Sequence, residues 1–553
     1  HMYIPLTYTV WTALAALSLK NTSAGHTELN PLFFHTANLL LHILSVCIVF
    51  FLLRLLLSYV ETESEVEKTR ERQGVASFFG ALLFAIHPLQ VEAVSWVTGM
   101  KDLLSGTLVL FALWQYILWS DRSKKTSWNR SVYLVAGSVS YIFALLGKPT
   151  AVVVPLLAFI LDYFLVNRSF RGAVYRLFGW VFISLLFVYI AKSSQSYSNE
   201  ALGIPPFWQR PFVFLDSISF YLFKFLLPTG LGVDYGRTPS VALTSLNIFF
   251  TASVPIICAV MLFLQKNRRV WLLSAGVSVV GILPASGLIP FGFQFFSSVA
   301  DRYFYVSMLG ASLALAFLWY LNKSRAITAC LLLGFLFLGA QTLYQSGRWR
   351  NSEQLFGQAL KVNHNSYVAH NNFGSALVKK GKIKEAIVHF QEAVRINPEF
   401  YQAYNNLGGA FFMAGNIPLA IENVERVLAI NPSFEKARMN LAKVLYQQGR
   451  LGEARHHFEE VLRTSPSSII ARYTLAETLF ALGEYERAEK EAERIIELDS
   501  SFVKAYTLIA SLLVDLGKLG EARSILTAGE RMNPGSIEIR RSLEMLEKKS
   551  VHK

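Results

Sequence analysis

The stretch HPLQVEAVSWVTGMKD, residues 87–102, lies between two apolar runs, 75–86 and 103–120. Neither run alternates polar and apolar residues at a helix or strand period, as a half-buried element in water would. Both are blocks, and blocks of this kind belong in hydrocarbon. The pattern recurs along the chain, where ten apolar stretches read as spans: about 31–53, 75–86, 103–120, 131–146, 151–166, 175–193, 246–265, 270–289, 303–322 and 326–345. Some are short for a hydrocarbon layer of about 30 Å, and the run that ends before His87 needs flanking residues to cross it. With 53% hydrophobic residues in 553 and a mean hydropathy of +0.37, the chain reads as an integral membrane protein. The polar stretch 87–102 is then a membrane boundary, and the question is why His87, Glu92, Trp96, Lys101 and Asp102 gather there.

Charge placement gives a topology. In a soluble protein the net charge of +14 would point to nucleic acid, but here the basic residues sit in short loops between apolar runs. They mark alternate loops: Lys68, Arg70 and Arg72; Arg122, Lys124, Lys125 and Arg130; Arg168, Arg171 and Arg176; Lys266, Arg268 and Arg269; Lys323 and Arg325. The positive-inside rule makes these five loops cytoplasmic. Parity then puts residues 87–102, Lys148, the 194–245 loop, the 285–301 loop and the C-terminal region on the opposite side. The segment PFVFLDSISFYLFKFLLP, 211–228, would upset that parity as a span, so it is expected to be an interfacial or re-entrant helix. Cys47, Cys258 and Cys330 fall inside apolar segments without CxxC or metal spacing, so neither a disulfide framework nor a zinc site is indicated and they read as small membrane-core residues.

From about residue 352 the chain turns into soluble helix with an internal period of 34. Gly381, Gly415, Gly449, Gly483 and Gly517 keep that spacing, as do Ala386, Ala420, Ala454, Ala488 and Ala522. Pro398, Pro432, Pro466 and Pro534 fall in the same frame, with Ser500 in the missing place. This is the tetratricopeptide period. The small residue lets two helices pack closely, the glycine makes the turn between them, and the proline opens the next repeat where its missing N–H does no harm. The expected architecture is therefore all-α: a polytopic membrane helix bundle over 1–350, then a tetratricopeptide-repeat α-solenoid over 351–553, with about five repeats and a capping helix over 535–548. The solenoid groove suits a peptide or protein partner, and a purely structural role is the alternative.

Candidate functional residues stand at the outer ends of the spans, because charge at membrane depth is costly and usually retained for function. Four clusters qualify: residues 87–102; GKPT, with Lys148; GLGVDYGRTP, with Asp234 and Arg237; and ADRYFY, with Asp301, Arg302 and Tyr303. All four fall on the predicted non-cytoplasmic side. Lys101, Lys148 and Arg302 are expected to form a ring of cations that holds a lipid phosphate, with His87 and Tyr303 beside it. Simpler readings stand next to these. A lysine at a span end snorkels, His87 before Pro88 ends a helix, Trp96 belongs to an interfacial aromatic belt, and Asp301 with Arg302 is a local ion pair. In the first span His35, Asn38 and His42 share one polar face, for which structural hydrogen bonding is the favoured reading over ligand binding.

The pieces YIPLTYTVW, FFHTANLLLHIL, HPLQVEAVSWVTGMKDLLSG, LPASGLIPFG and ADRYFY, followed by the repeats, resemble the transmembrane and tetratricopeptide-repeat-containing proteins and their bacterial relatives. The resemblance implies a GT-C-fold membrane glycosyltransferase, related to protein O-mannosyltransferases, that uses a polyprenyl-phosphate sugar and no identified cofactor, with any divalent-metal requirement open. It also implies repeats on the lumenal or periplasmic side, in a bacterial inner membrane if the bacterial likeness holds. Such enzymes carry an acidic catalytic residue in the outer loop after the first span. The present chain enters the pattern beyond that point, at HMYIPLTY, so the catalytic acid is expected upstream of His1. Glu92, Asp102 and Asp234 are the fallback candidates among outward acids that also include Glu28, Glu200, Asp216 and Asp301. The transferase would use its carboxylate to take the proton from an acceptor hydroxyl, and its cations to stabilise the leaving phosphate. The competing functional readings are an O-antigen ligase or polymerase-like envelope enzyme and a non-catalytic membrane scaffold for the repeats.

Overall fold

His87 and Pro88 break what would otherwise be one long helix. Proline lacks the N–H that would continue the ladder and drives the residue before it out of helical space, and His87 is extended at φ −71° and ψ 132°. Helix α3 (Val66–Ile86) therefore stops at the break, and a short turn over Pro88–Gln90 leads into α4 (Val91–Ser95). The two parts, Thr69–Ile86 and Pro88–Ser95, are bent by 51°. These observations come from a computed structural model that describes residues 4–21, 27–60, 66–121, 127–166, 169–193, 204–244, 248–322 and 324–551. The side chains of Glu28 and Lys68, and residues Arg122, Lys124, Lys125, Arg168, Glu200 and Lys323, lie outside that description.

The chain forms two compact units, 1–366 and 367–553. The first contains α1 (Pro5–Ser18), α2 (Pro31–Leu57), α3, α4, α5 (Met100–Ser120), α6 (Ser127–Gly147), α7 (Val154–Leu161), α8 (Phe170–Ser193) and α9 (Arg210–Leu226). It continues with α10 (Pro239–Thr244), α11 (Ile248–Leu264), α12 (Arg268–Ile282), α13 (Met308–Asn322), α14 (Arg325–Arg348) and α15 (Ser352–Val362). Seven stretches of helix among the described residues are long and apolar enough to cross a membrane: Pro31–Leu57, Val97–Ser120, Arg130–Gly147, Pro149–Val166, Phe170–Ser193, Arg268–Ala285 and Arg325–Arg348. The bent pair makes an eighth if it counts as one span, while α11 and α13 are apolar but shorter. A helix stands over each of the ten apolar stretches. The protein is an integral membrane protein, and apart from a two-stranded ribbon pairing Leu19–Asn21 with Thr27–Leu29 its fold is all-α.

Without a hydrophobic difference between helix and lipid, close packing must hold such a bundle, and small residues provide it. A Cβ on Gly310 would meet the Ser274 carbonyl oxygen at 2.3 Å, so α12 and α13 cross in near backbone contact. Gly80 plays the same part in α3, where a Cβ would meet Leu53 Cδ1 and the Ser312 carbonyl oxygen, each at 2.6 Å.

The second unit is five helix pairs: α16 (Tyr367–Lys379) with α17 (Ile383–Ile396), α18 (Tyr401–Met413) with α19 (Ile417–Ile430), α20 (Glu435–Gln447) with α21 (Leu451–Thr464), α22 (Ile469–Ala481) with α23 (Tyr485–Leu498), and α24 (Val503–Asp515) with α25 (Leu519–Met532). Helix α26 (Ile537–Val551) caps the array. Each inter-helix turn closes on a left-handed glycine, with φ of 76°, 79°, 74°, 80° and 75° in order. The next N–H reaches back to the third-last helical carbonyl, as Lys382 does to Leu377 at 3.0 Å. The repeated alanines are buried against the partner helix, as expected. One boundary differs from the sequence reading, which began the soluble array at 351. Helix α15 belongs to the first unit: Gln358 Nε2 donates to the Leu231 carbonyl at 3.2 Å, and the Ser366 hydroxyl bonds to Asp234. Its amphipathic pattern is that of a repeat helix, but it packs on the 231–236 loop.

Candidate functional site

Three helix ends meet around the charged residues. The first is the segment from α4 into α5, whose turn is held by α2: Asn38 Nδ2 donates to the carbonyls of Val94 at 3.2 Å and Trp96 at 2.8 Å, groups that a helix end leaves open. The second is Lys148, at the end of α6 before Pro149. The third is the turn Asp301–Phe304, held by Tyr221, whose hydroxyl donates to the Ala300 carbonyl at 3.0 Å and accepts from the Ala300 N–H at 3.1 Å.

These ends pair their charges across long sequence separations. Glu92 takes the Arg302 backbone N–H at 2.9 Å on one oxygen and the Arg302 guanidinium on the other. Lys148 donates to Asp102 Oδ1. The Arg302 guanidinium also lies 4.8 Å from the Tyr303 ring centroid, 5.1 Å from that of Trp96 and 5.8 Å from that of Phe293, so aromatic faces wrap it. Lys148 Nζ stands 5.3 Å over the Tyr303 ring, and Lys101 Nζ stands 5.8 Å over Phe293. Lys101 makes no ion pair within 4 Å among the described residues, yet it sits in the field of Asp102, Lys148, Arg302 and Glu92. Three cations against two carboxylates leave one positive charge uncompensated.

A cavity of about 40 Å³ opens between these ends, lined by Asp102, Lys148, Arg302, Tyr303 and, from the apolar side, Gly106 and Gly281 among others. Asp102 Oδ2 is buried and has no hydrogen-bond partner among the described residues. An ionised carboxylate accepts at both oxygens, so Asp102 Oδ2 can take a hydrogen bond from whatever group or water occupies the cavity. A second, apolar cavity of about 420 Å³ lies among α9, α11, α12 and α13. Ile282 and Phe304 line it, and their neighbours Gly281 and Tyr303 line the first. The end of α12 and the 301–304 turn thus separate the two.

The structure gathers Lys101, Lys148, Arg302, Tyr303, Glu92 and Asp102, and leaves two of the sequence candidates apart. His87 is spent on structure: Nδ1 accepts the Leu89 N–H at 3.2 Å, capping the turn after the break, while Nε2 donates to the Phe225 carbonyl at 3.1 Å and the ring stacks on Phe225. Asp234 holds its own loop, taking the Gly236 N–H at 2.8 Å and the Ser366 hydroxyl. Glu92 has both oxygens bonded to Arg302 and does not line the cavity. Of the three fallback acids Asp102 alone faces the cavity with a free oxygen. Asp301 accepts the Tyr235 hydroxyl at 2.6 Å, and burial, with the Glu92 carboxylate adding, holds its carboxyl well above the usual range. Asp216 forms a bidentate pair with Arg237 at 2.5 and 2.6 Å. In α2, His42 bonds to the Tyr305 hydroxyl at 3.0 Å and the Ala85 carbonyl at 3.1 Å, and His35 is exposed. Sequence reasoning missed the aromatic wrap of Arg302; Trp96 and Tyr303 were visible, but nothing in their spacing joined them to Phe293.

Comparison with known proteins bears on both units. Tetratricopeptide-repeat family models match residues 374–415, 414–469 and 445–512. Human protein O-mannosyl-transferase TMTC4 is 25% identical over 404 residues, covering 65% of this chain and 54% of the relative. Mouse protein O-mannosyl-transferase TMTC3 is 25% identical over 407 residues, covering 65% of this chain and 41% of the relative. The Drosophila melanogaster protein O-mannosyl-transferase Tmtc3 is 25% identical over 434 residues, covering 65% and 46%. The chain thus spans about half the length of these relatives. Among solved structures, YrrB, a TPR protein with an unusual peptide-binding site, aligns with 35% of this chain and 99% of its own at 15% identity and a TM-score of 0.31. MamA aligns with 31% of this chain and 92% of its own at 18% identity and a TM-score of 0.29.

Proposed function

As a TMTC-like tetratricopeptide-repeat protein with a membrane helix bundle, this chain is, we propose, a membrane glycosyltransferase that moves a sugar from a polyprenyl-phosphate carrier to a protein or glycan hydroxyl on the non-cytoplasmic side. The observation that carries the reading is the cavity where Lys148, Arg302 and Tyr303 face the empty oxygen of Asp102. The leaving phosphate is already a weak base, so it needs charge stabilisation more than a proton. Lys148 and Arg302 keep N–H donors beyond those given to their carboxylates, and the site carries one surplus positive charge. Asp102 Oδ2 takes the acceptor's proton as its oxygen bonds to the anomeric carbon and the bond from that carbon to phosphate breaks. About 40 Å³ holds a water rather than a hexose, so the sugar needs lining side chains such as Tyr303 to move aside. The apolar cavity next door suits the polyprenyl chain.

The names of the relatives favour mannose as the sugar. The repeats would stand outside the cytoplasm and hold acceptor or partner, because Arg70, Arg72, Arg130, Arg171, Arg176, Lys266, Arg268, Arg269 and Arg325 mark alternate helix ends. In a variant without native cysteines, an impermeant thiol reagent applied to intact cells should label a cysteine at Ser467 and spare one at Gln265; the reverse pattern overturns this topology.

Binding and turnover of polyprenyl-phosphate mannose test the chemistry. Arg302→Gln should weaken binding, while Arg269→Gln at the opposite end of the bundle should not; equal effects return Arg302 to a structural role. Asp102→Asn should lower turnover by about 10²- to 10⁴-fold with binding little changed, the range of general-base catalysis. Unaltered turnover places the base elsewhere, as the family resemblance led us to expect.

A further inference from the structure

The 283–300 loop, which joins α12 to the turn carrying Asp301 and Arg302, contains no charged residue. Its side chains are also arranged the wrong way round for a loop in water. Ile289, Phe293, Phe295 and Phe296 are exposed by 54%, 41%, 45% and 39%, whereas Ser286, Gln294, Ser297 and Ser298 are buried. Gln294 Nε2 and Ser298 Oγ are turned inward although neither meets a hydrogen-bond partner among the described residues. In water the opposite arrangement is favoured, because solvent would bond the amide and the hydroxyl and burial would remove the rings from it. Apolar groups outward and polar groups inward suit hydrocarbon.

The main chain supplies a second, independent sign. Irregular backbone is tolerated at membrane depth only where the protein itself bonds its polar groups. Pro284 and Pro290 have no N–H to satisfy. The Phe291 N–H meets Gln294 Oε1 at 3.4 Å, and the Val299 N–H meets Ser297 Oγ at 3.3 Å, while that hydroxyl donates to the Val299 carbonyl at 2.8 Å. The Leu283 carbonyl accepts from the Ser286 hydroxyl at 2.8 Å, and the Ser286 carbonyl from the Ser217 hydroxyl of α9 at 3.1 Å. The Ser298 N–H donates to the Arg237 carbonyl at 2.8 Å, and the Phe293 carbonyl takes the N–H groups of Phe296 and Ser297 at 3.0 and 3.1 Å. Ser286, Gln294 and Ser297 thus serve the loop's own backbone.

Helix α9 repeats the pattern. Its Asp216, Ser217 and Ser219 are buried, and its Phe212, Phe223 and Leu226 are exposed. It lies close against the loop: a Cβ on Gly287, whose φ is +83°, would meet Val213 Cγ1 at 2.5 Å. It also packs on α11, an apolar helix over one of the stretches read as spans, whose Val254, Ile257 and Met261 are exposed. The loop is therefore joined through α9 to a helix that hydrocarbon surrounds.

We infer that residues 286–296 and the exposed face of α9 are immersed in the leaflet on the side of the charged site, with lipid acyl chains as their partner. Phenylalanine and isoleucine have no polar tip to hold at the headgroup level, as tryptophan and tyrosine have, so these side chains reach below it. The Phe293 ring lies 5.8 Å from Lys101 Nζ and from the Arg302 guanidinium, so immersion places one ring between those cations and the acyl chains. The inference depends neither on the transferase reading nor on which side of the membrane the site faces.

The test uses the whole chain in phosphatidylcholine nanodiscs, with Cys47, Cys258 and Cys330 replaced by alanine and one new cysteine carrying a nitrobenzoxadiazole dye. Dye at Phe295→Cys, or at Ile289→Cys as a second site, should emit like dye at Leu336→Cys on the exposed face of α14. It should lose as much emission as that control when the acyl chains are brominated, and resist iodide. Dye at Ser467→Cys in the repeats should lose emission to iodide and none to bromine. Phe295→Asp with Phe296→Asp should lower the SDS concentration at which helix is lost, because a charge in hydrocarbon is costly, while Met413→Asp on the exposed surface of the repeats should not. If iodide reaches the dye at 289 and 295 and brominated chains do not, the loop faces water and its phenylalanines are a docking patch for a soluble protein, which overturns the inference. A double aspartate variant as stable as its parent overturns it as well.

Discussion

Replacing Lys148 with methionine should strand Asp102. The carboxylate is buried, one oxygen is bonded to Lys148 and the other has no partner among the described residues, so the substitution leaves a buried charge with nothing to hold it. Removing one partner of a buried pair costs about 3–5 kcal/mol. Asp102→Leu should cost less, because the Lys148 ammonium keeps the Tyr303 ring at 5.3 Å and its side chain is 11% exposed, enough for the head group to find water. The double variant removes both charges and both desolvation penalties, and should fall within about 1 kcal/mol of the parent. The cycle should therefore return a coupling of at least about 2 kcal/mol. Helix content followed through an SDS titration of the detergent-solubilised chain gives the four stabilities. If the two single costs simply add, or if Asp102→Leu is the worse of the two, the pair is not the buried partnership described above.

The remaining expectations concern other parts of the molecule. Gly310→Val should abolish folded protein, because its Cβ would fall 2.3 Å from the Ser274 carbonyl oxygen, whereas Gly334→Ala, where a Cβ meets nothing within 4 Å, should be silent by the same titration. Asn38→Ala should free the carbonyls of Val94 and Trp96 at a cost of about 1–3 kcal/mol, seen as faster amide exchange across residues 91–100. In the first repeat the His370 and His389 rings meet at Nδ1 with 3.0 Å between them. Burial first, then the charge of His370, lowers the His389 pKa against the opposing pull of Glu385 and Glu392. The unfolded chain then binds more protons than the folded one, so stability is full above about pH 6.5 and falls as the pH drops below it. Amide exchange in α16 and α17 should accelerate between neutral and mildly acidic pH, and His389→Asn should flatten that dependence.

The repeats were legible because their signal is local: a left-handed turn every 34 residues needs Gly381 and its four equivalents, and close helix contact needs Ala386 and its four. The membrane bundle was legible for a similar reason, as hydrocarbon selects blocks of apolar residues. The site was legible only in outline. Lys148 and Arg302 could be placed at the outer ends of helices, and from that they read as free cations waiting for phosphate. Their carboxylates come from elements 46 and 210 residues away, and which helix ends meet is a property of the packed bundle. The same limit explains α15, whose pattern of apolar residues says that it packs but not that it packs on the 231–236 loop. At His87 the sequence held both readings, and the one resting on local chemistry, a histidine before proline at a helix end, is what the bonds to Leu89 and Phe225 describe.

A charge pair in a membrane bundle is weak evidence of function by itself, and this chain contains its own comparison. Asp162, on the other side of the bundle, is as buried as Asp102, and its Oδ2 takes the Tyr116 hydroxyl at 2.8 Å and Arg176 through Nε at 2.9 Å and Nη2 at 2.7 Å. Three donors converge on one oxygen, and neither described cavity is lined by it. Such a carboxylate is a staple between α5, α8 and the end of α7. Asp102 differs on each count: one donor, one oxygen without a partner, and a cavity wall shared with a second cation. A staple needs no lone pair facing a cavity, whereas a group that receives a proton or binds a ligand must turn one toward the space the ligand enters. The contrast between the two aspartates, more than the number of charges at either end of the bundle, is what directs the search for chemistry to Asp102, Lys148 and Arg302.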